Sequence, residues 1–306
     1  MITFANFPPC TDLDHLDADV AIMGIPYGTP YQPGQLSPSH HAPETIRRQS
    51  IRYPEDVFAW DFDLQNNLLA GSSLKVVDCG DLTGDVENPE DNYRLAFEAV
   101  KKILKAGVLP VILGGDDSIP IPVFAAFMEF GPINILQIDA HIDWRDEVNG
   151  IRYGFSSTMR RASEMDWIGQ IIQVGARGTG TARVKEYHDA LAYGAKIIPA
   201  KSVHQCGIES ILAEIPGDTP CYVTVDCDGL DPSTMPGVWS PAPGGLTYYQ
   251  VIELIHSVNL KSGLAGLNLV EYVPEKDINE IGQITAMRLI WNFIGELAQK
   301  KSTCRH

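Results

Sequence analysis

Short runs rich in β-branched and other apolar residues recur along the chain. They occupy 21–25 (AIMGI), 74–80 (LKVVDCG), 108–115 (VLPVILGG), 133–139 (INILQID), 171–177 (IIQVGAR), 195–200 (AKIIPA), 222–228 (YVTVDCD) and 264–270 (LAGLNLV). Most are continuously apolar rather than alternating, the pattern of strands buried on both faces of a parallel sheet. Helical patterns lie between them. In 89–106, Tyr93, Phe97, Val100 and Leu104 recur at helical spacing; Asn88 is the expected N-cap, Pro89 the first-turn proline and Gly107 the stop. Segments near 181–193, 202–214, 247–260 and 284–300 read similarly. This alternation predicts a doubly wound α/β sheet with helices on both sides. No linker, repeat or break in composition divides the chain, so 1–306 is read as one domain.

In such sheets ligands sit beyond the carboxyl ends of the strands, and three of those ends are acidic. VILGG runs into Asp116-Asp117-Ser118. ILQI runs into Asp139-Ala140-His141-Ile142-Asp143. YVTV runs into Asp226-Cys227-Asp228-Gly229-Leu230-Asp231. Extended chain has a period of two, so Asp139, His141 and Asp143 are expected to face one side, as are Asp226 and Asp228. A lone Asp after a strand ordinarily caps the next helix, which accounts for Asp116 or Asp231. Caps do not explain a second and third acid two residues apart. Six or more carboxylates at one sheet edge cannot all stay ionised without cations. Carboxylates with an imidazole and no thiolate suit Mn(II), with Ni(II) or Zn(II) also compatible. Two ions fit better than one, because several carboxylates can bridge, and such a pair yields a hydroxide nucleophile at neutral pH. Histidines 15, 40, 41, 188, 204, 256 and 306 lack a comparable setting and read as surface or core residues.

Composition narrows the partners. The net charge is −16, from 23 basic and 39 acidic residues. Such a surface repels phosphate backbones and anionic membranes, so neither nucleic acid nor a membrane is an expected partner; cationic ligands and metal ions are favoured. No apolar run reaches the roughly 18 residues of a membrane-spanning helix. The start, MITFANFPPC, lacks the basic and long apolar stretches of a signal peptide. Six scattered cysteines (Cys10, Cys79, Cys206, Cys221, Cys227 and Cys304) with no CxxC read as reduced thiols of a cytoplasmic protein. Cys79, Cys221 and Cys227 lie in strand-like segments as buried thiols.

The motifs resemble those of the ureohydrolases, the family of arginase and agmatinase, over nearly the whole chain, and agmatinase-like members most. GIPYGTPYQPGQLSPSHHAPETIR (24–47) is similar to the family's glycine- and proline-rich segment before its first helix. DCGDL (78–82) resembles DxGD, and GGDDS (114–118) matches GGDHS at all but one position. DAHID (139–143) matches DAHxD. DCDGLDPSTMPGVWSPAPGGLT (226–247) resembles the long DxDxxDP signature, and GLNLVEYVP (266–274) the segment with the substrate glutamate. The resemblance implies an arginase-like three-layer α/β sandwich with a doubly wound, mainly parallel sheet of about eight strands. It also implies a trimer or hexamer, and a hydrolase that releases urea and an amine from a guanidino compound. By position, Asp139 and Asp226 would bridge two divalent ions, Mn(II) by preference or Ni(II). His141 and Asp228 would complete one ion, and Asp143 with Asp117 the other. Glu271 would hold the guanidinium through charge-assisted bonds. A metal-bridging hydroxide would attack the guanidinium carbon while Asp143 manages its proton.

Three departures qualify that expectation. Asp117 stands where the family has the GGDHS histidine. Asp117, Asp139, Asp143, Asp226 and Asp228 then set five negative charges against the four positive charges of two divalent ions. That favours activity at more alkaline pH or a different metal. Phe155 stands where many agmatinase-like enzymes carry a loop histidine, and Ala242 where agmatinases carry a glutamate. Trp239, Trp144, Tyr153 and Phe155 lie near the motifs, and two readings stand for them: an aromatic pocket for a small or alkylated cation, or ordinary loop packing. These departures point away from arginine. They point toward a small guanidine, an N-alkylated guanidine or biguanide, or a guanidino acid. Two other readings stand: an inactive or weakly active paralogous subunit of a hetero-oligomer, and a hydrolase for a related C–N bond such as that of formimino-glutamate.

Overall fold

The computed structural model describes residues 1–32 and 34–303. Cys304 and His306 lie outside the described residues. Each apolar run forms a strand: β1 Val20–Ile25, β2 Val76–Asp81, β3 Leu109–Gly114, β4 Ile133–Ile138, β5 Ile168–Val174, β6 Lys196–Ile198, β7 Cys221–Asp226 and β8 Leu264–Val270. They pair in parallel as one eight-stranded sheet in the order β2-β1-β3-β8-β7-β4-β5-β6. The helices are α1 Ala42–Ser50, α2 Pro89–Lys105, α3 Pro120–Ala126, α4 Thr158–Ala162, α5 Val184–Tyr193, α6 Ala200–Cys206, α7 Glu209–Glu214, α8 Tyr248–Lys261 and α9 Ile281–Thr303.

The strand alternation sorts side chains into two cores. Val111, Leu113, Leu136, Ile138, Val223 and Val225 pack with buried residues of α1, α6, α7, α8 and α9. Ile112, Ile135, Ile171 and Tyr222, from the opposite face, pack with α2, α3, α4 and α5. Both faces are covered, so continuous apolar runs are what the sheet requires.

Some elements differ from the sequence expectation. The segment 202–214 is divided between α6 and α7, which part at Gly207, whose φ of +74° lies in the left-handed region that glycine tolerates. Asn88 does not cap α2; its amide donates to Asp85 Oδ2 at 2.6 Å. Helix α3 begins Pro-Ile-Pro, a sequence that discourages a helical reading. Its prolines sit in the first turn, where backbone N–H groups have no intrahelical partner to lose. At five residues, α4 is too short to show a period.

The strand order positions the site. After β3 the chain skips two places and begins β4; β8 and β7 later fill the gap. The carboxyl ends of β3, β8, β7 and β4 are therefore neighbours, and each is followed by or ends in an acid: Asp117, Glu271, Asp226 and Asp139. Two residues before that edge, the apolar strands carry a polar row. Gln173, Gln137, Thr224 and Asn268 lie in register across β5, β4, β7 and β8, all buried. Alternation puts Gln137 on the side of Asp139, and Thr224 on that of Asp226.

Near the other edge, the DCGDL segment has a structural role. Arg47 of α1 donates from Nε to Asp78 Oδ2 at 2.8 Å and from Nη2 to Asp78 Oδ1 at 3.0 Å, and both side chains are buried. Asp78 also accepts from the N–H of Phe4 and of Gly80. This joins the N-terminal segment, α1 and β2. Replacing Arg47→Met strands a buried carboxylate and is expected to lower stability by roughly 3–5 kcal/mol in urea unfolding. A loss near that of an exposed ion pair, about 1 kcal/mol or less, would show that the two backbone donors suffice.

Candidate metal centre

Turns, not strand geometry, aim the acids. β4 ends at Ile138 and β7 at Asp226, so the expected period of two does not carry the alignment. Each acidic motif instead closes a turn on itself. Asp139 Oδ1 accepts from the His141 N–H at 2.6 Å, and Asp226 Oδ1 from the Asp228 N–H at 2.9 Å. Asp116 and Asp231 close the same kind of turn with Ser118 and Ser233, each at 3.0 Å; neither caps a helix as a lone acid was expected to, since the N-cap of α3 is Ile119 and no helix starts directly after Asp231. The backbone then turns sharply: φ is +49° at Asp143 and +61° at Glu271. Non-glycine residues rarely adopt this region, and such strain collects at functional sites. Glu271 is held from both sides. Its N–H donates to the Gly115 carbonyl at 2.9 Å, and its Oε1 accepts from the Asp117 N–H at 3.0 Å.

These residues line one cleft of about 220 Å³. Asp117, His141, Asp143, Asp226, Asp228 and Glu271 form its floor with Asp116, while Leu36, Pro38, Phe155, Val238 and Trp239 are among its walls. Two groups of donor atoms gather there. Asp139, His141 and Asp228 form one; Asp117, Asp139 and Asp143 form the other; in each, the atoms lie within 4.8 Å of one another. Asp139 belongs to both. His141 Nδ1 is 3.3 Å from Asp139 Oδ1 and 3.2 Å from Asp228 Oδ2. Asp226 shares the cleft but neither group. Close to Asp116, Gly28 leaves no room for a side chain: a Cβ there would stand 1.9 Å from the Asp116 Oδ2.

Burial and mutual repulsion set the protonation. Burial first, then the neighbouring carboxylates, push Asp117, Asp143 and Asp226 well above the usual carboxylate range. Burial, with Asp116 nearby, pushes Glu271 up to about 8, and burial pushes Asp116 itself up to about 6. For His141 burial acts downward, but hydrogen bonds to Asp139 and Asp228 prevail and push it up to about 12. Asp139 is held below the usual range, because the bonds from His141 outweigh its burial.

A profile described as the arginase family matches residues 18–295. The chain belongs to the arginase family. The mitochondrial agmatinase of Gallus gallus is 30% identical over 300 residues, spanning 94% of this chain and 83% of that protein. The guanidinobutyrase of Pseudomonas aeruginosa is 29% identical over 291 residues, spanning 92% and 87%. The solved structure of proclavaminate amidino hydrolase from Streptomyces clavuligerus superposes with a TM-score of 0.80 at 26% identity, covering 98% of this chain and 97% of that one. The eight-stranded parallel sheet between two helical layers is the arginase-like α/β fold.

The residues of this arginase-family site fit a pair of divalent cations. Both carboxylate oxygens of Asp117 are buried without a hydrogen-bond partner among the described residues. Isolated, such a group is costly; beside a cation it is a ligand. Asp117 is thus the departure from the family motif and also the side chain that most needs an ion. Of the four aromatics near the motifs, Phe155 and Trp239 line the cleft. Trp144 and Tyr153 do not. Trp144 is buried under the site, with its indole N–H on Gln173, and Tyr153 packs edge-on against Tyr93 at 5.5 Å. Ala242 offers only its carbonyl, to Arg177. His40 and His41, read as surface or core residues, gather with Glu275; His40 is half-buried and the other two are exposed.

Sequence reasoning missed Arg177 and Gln137. The Arg177 guanidinium donates to the carbonyls of Asp228, Gly229, Leu230 and Ala242, fastening the loop that follows β7. Gln137 Nε2 donates to Asp139 Oδ2 at 2.6 Å and to Asp143 Oδ2 at 2.7 Å. The available signal for Gln137 was a polar residue in an apolar strand, two positions before the acid.

The raised carboxylates fix a pH dependence. A carboxyl with a higher pKa folded than unfolded binds more protons when folded. Without cations, stability therefore falls as pH rises from the ordinary value near 4 toward Glu271's value of about 8. His141 acts in the same sense above its ordinary value near 6.5. Bound cations remove the repulsion. Chelation with EDTA is thus expected to lower the melting temperature more at pH 8 than at pH 5.5, in thermal scans of metal-loaded and stripped protein. An equal drop at both values would mean that these carboxylates do not face the ions.

Proposed function

We propose that this chain is a metal-dependent hydrolase of a guanidino C–N bond, releasing urea and an amine from a small or substituted guanidine. The observation that carries this is a floor of buried carboxylates, with Asp117 unpartnered, beneath a cleft about 220 Å³ in volume. Membership in the arginase family, with relatives named agmatinase and guanidinobutyrase, supports the reaction class: hydrolysis of C–N bonds other than peptide bonds. In this reading Asp117, Asp139, His141, Asp143, Asp226 and Asp228 would hold two divalent ions. When bound, the ions supply Lewis acidity and a hydroxide source at neutral pH. Mn(II) is the preferred pair, with Ni(II) the alternative.

The chain's own residues divide the remaining work. Glu271 accepts hydrogen bonds from the guanidinium and orients its carbon toward the floor. Its backbone conformation and its bond from the Asp117 N–H preset that aim. Asp143 takes the proton of the attacking water and returns it to the leaving amine. Phe155 and Trp239 flank the substrate's tail. Phe155 packs on Tyr31 at 4.5 Å, and the Lys276 ammonium lies 4.2 Å from the Trp239 ring centre. The reading places the enzyme in the cytoplasm as a trimer or hexamer. The described cysteines are all free, and no helix among the described residues is long and apolar enough to cross a membrane.

Two measurements test this. Metal analysis of protein purified with Mn(II) or Ni(II) is expected to find about two ions per chain. Urea release is then screened on guanidine, N-alkylguanidines, guanidino acids, agmatine and arginine. Essentially no metal and no urea would move the chain to the inactive-subunit reading, and formamide in place of urea to the formimino one. Glu271→Gln is expected to lower kcat/KM on the order of 10²-fold by removing a charged hydrogen-bond acceptor. Asp117→His restores four carboxylate charges against four and is expected to move the pH–rate profile to lower pH; superimposable profiles would refute that charge argument.

A further inference from the structure

We infer that Trp144 and Gln173 are positioning residues for the metal ligands, acting through Gln137 to lock the carboxylates of Asp139 and Asp143; this rests on the metal-centre reading above. The inference comes from the direction of hydrogen bonds in a buried chain of three side chains. Trp144 Nε1 donates to Gln173 Oε1 at 2.8 Å. Gln173 Nε2 donates to Gln137 Oε1 at 2.5 Å and to the Ile142 carbonyl at 2.7 Å. Gln137 Nε2 donates to Asp139 Oδ2 and Asp143 Oδ2.

An amide side chain can in general be turned end for end, so its sense needs a cause. Here there is one. An indole N–H only donates. It therefore requires the carbonyl end of Gln173, which sends the Gln173 NH₂ toward Gln137 and the Ile142 carbonyl. Both of those partners are acceptors, so reversing Gln173 would set donor against donor at Trp144 and acceptor against acceptor at the other two positions. The Gln137 carbonyl is then occupied, and its NH₂ must face the acids. Both hydrogens of each NH₂ are used. A fully satisfied buried chain has one low-energy arrangement, and a half-satisfied one is costly.

The consequence falls on the ligands. One NH₂ group ties an oxygen of each carboxylate, which fixes the planes of Asp139 and Asp143 relative to each other. Those are the two acids shared by the group of Asp117, Asp139 and Asp143. The Ile142 carbonyl lies between Asp139 and Asp143 in the chain, so the same relay also restrains the turn that carries Asp143 into the left-handed region. Register makes this feasible: Gln137 and Gln173 are paired positions of neighbouring strands, and Trp144 follows directly after Asp143.

The test measures Mn(II) affinity by competition with a chelating dye, and melting temperature with and without Mn(II), for wild type, Trp144→Phe and Gln137→Met. Trp144→Phe removes the donor that sets the sense of the relay. Gln137→Met removes the final donors at similar volume and leaves the aromatic packing of Trp144 intact, so it carries the test if Trp144→Phe does not fold. Both variants are expected to bind Mn(II) roughly 10–100-fold more weakly. Both are expected to show a smaller Mn(II)-induced rise in melting temperature. A merely structural role would lower the melting temperature equally with and without metal and leave affinity unchanged. Wild-type affinity, within about twofold, in a folded variant would overturn the relay. Failure of the wild type to take up Mn(II) or Ni(II) would overturn the metal reading instead.

Discussion

Buried negative charge governs this molecule. Asp117, Asp139, Asp143, Asp226, Asp228 and Glu271 are brought together at the carboxyl ends of four adjacent strands; the five aspartates are buried and Glu271 is half-buried. Such a group cannot be stable as free ions in a low-dielectric setting. It must hold protons, pair with cations, or both. The first response is visible in the site itself: burial and neighbouring charge push several of the carboxyls far upward, and hydrogen bonds to Asp139 and Asp228 push His141 upward as well. Among the described residues, the oxygens of Asp117 have no hydrogen-bond partner, which leaves them open to either response.

The surrounding fold meets that constraint in layers. On the face that carries the acids, Ile135 and Tyr222 give way to Gln137 and Thr224, and these to Asp139 and Asp226. Polarity thus rises in two-residue steps along the strands, with neutral amides and a hydroxyl placed between hydrocarbon and charge. Turns closed by the aspartates themselves then set the direction of each carboxylate. Two residues of the site, Asp143 and Glu271, are bent into the left-handed region, and they are those given the proton and the substrate in the proposed reaction.

The fold was legible because burial on both sides writes each strand as an unbroken apolar run, and the runs at 21–25 through 264–270 became β1 to β8 without exception. Helices with a long amphipathic face, such as α2, were legible for a similar reason. α3 and α4 were not, since one starts with prolines and the other spans barely more than a turn. At the site, acid clusters after strands are conspicuous, so the floor of the cleft was visible as a set of residue types. What sequence hid was direction and partner. Nearness in the chain suggested that Trp144 and Tyr153 face the pocket, but the turn after Asp143 sends Trp144 beneath the site, and Tyr153 packs on Tyr93 of α2. Gln137 stands out as a polar residue in an apolar strand, but its pairing with Gln173 cannot be read from either strand alone, because a hydrogen-bonded chain across two strands joins positions far apart in sequence.

The strand order also bears on when the centre comes into being. Asp117 and Glu271 are 154 positions apart, yet the backbone of one holds the side chain of the other. β8, which delivers Glu271, is the last strand made and must enter between β3 and β7, in the middle of the sheet. At a synthesis rate on the order of 5–20 residues per second, the earlier acids wait for many seconds beside an open seam. A growing chain can therefore present Asp139 and Asp226, but it cannot close the site around them. The cluster is closed only once β8 stands between β3 and β7, so a damaged β8 would leave Asp117 without Glu271 across from it.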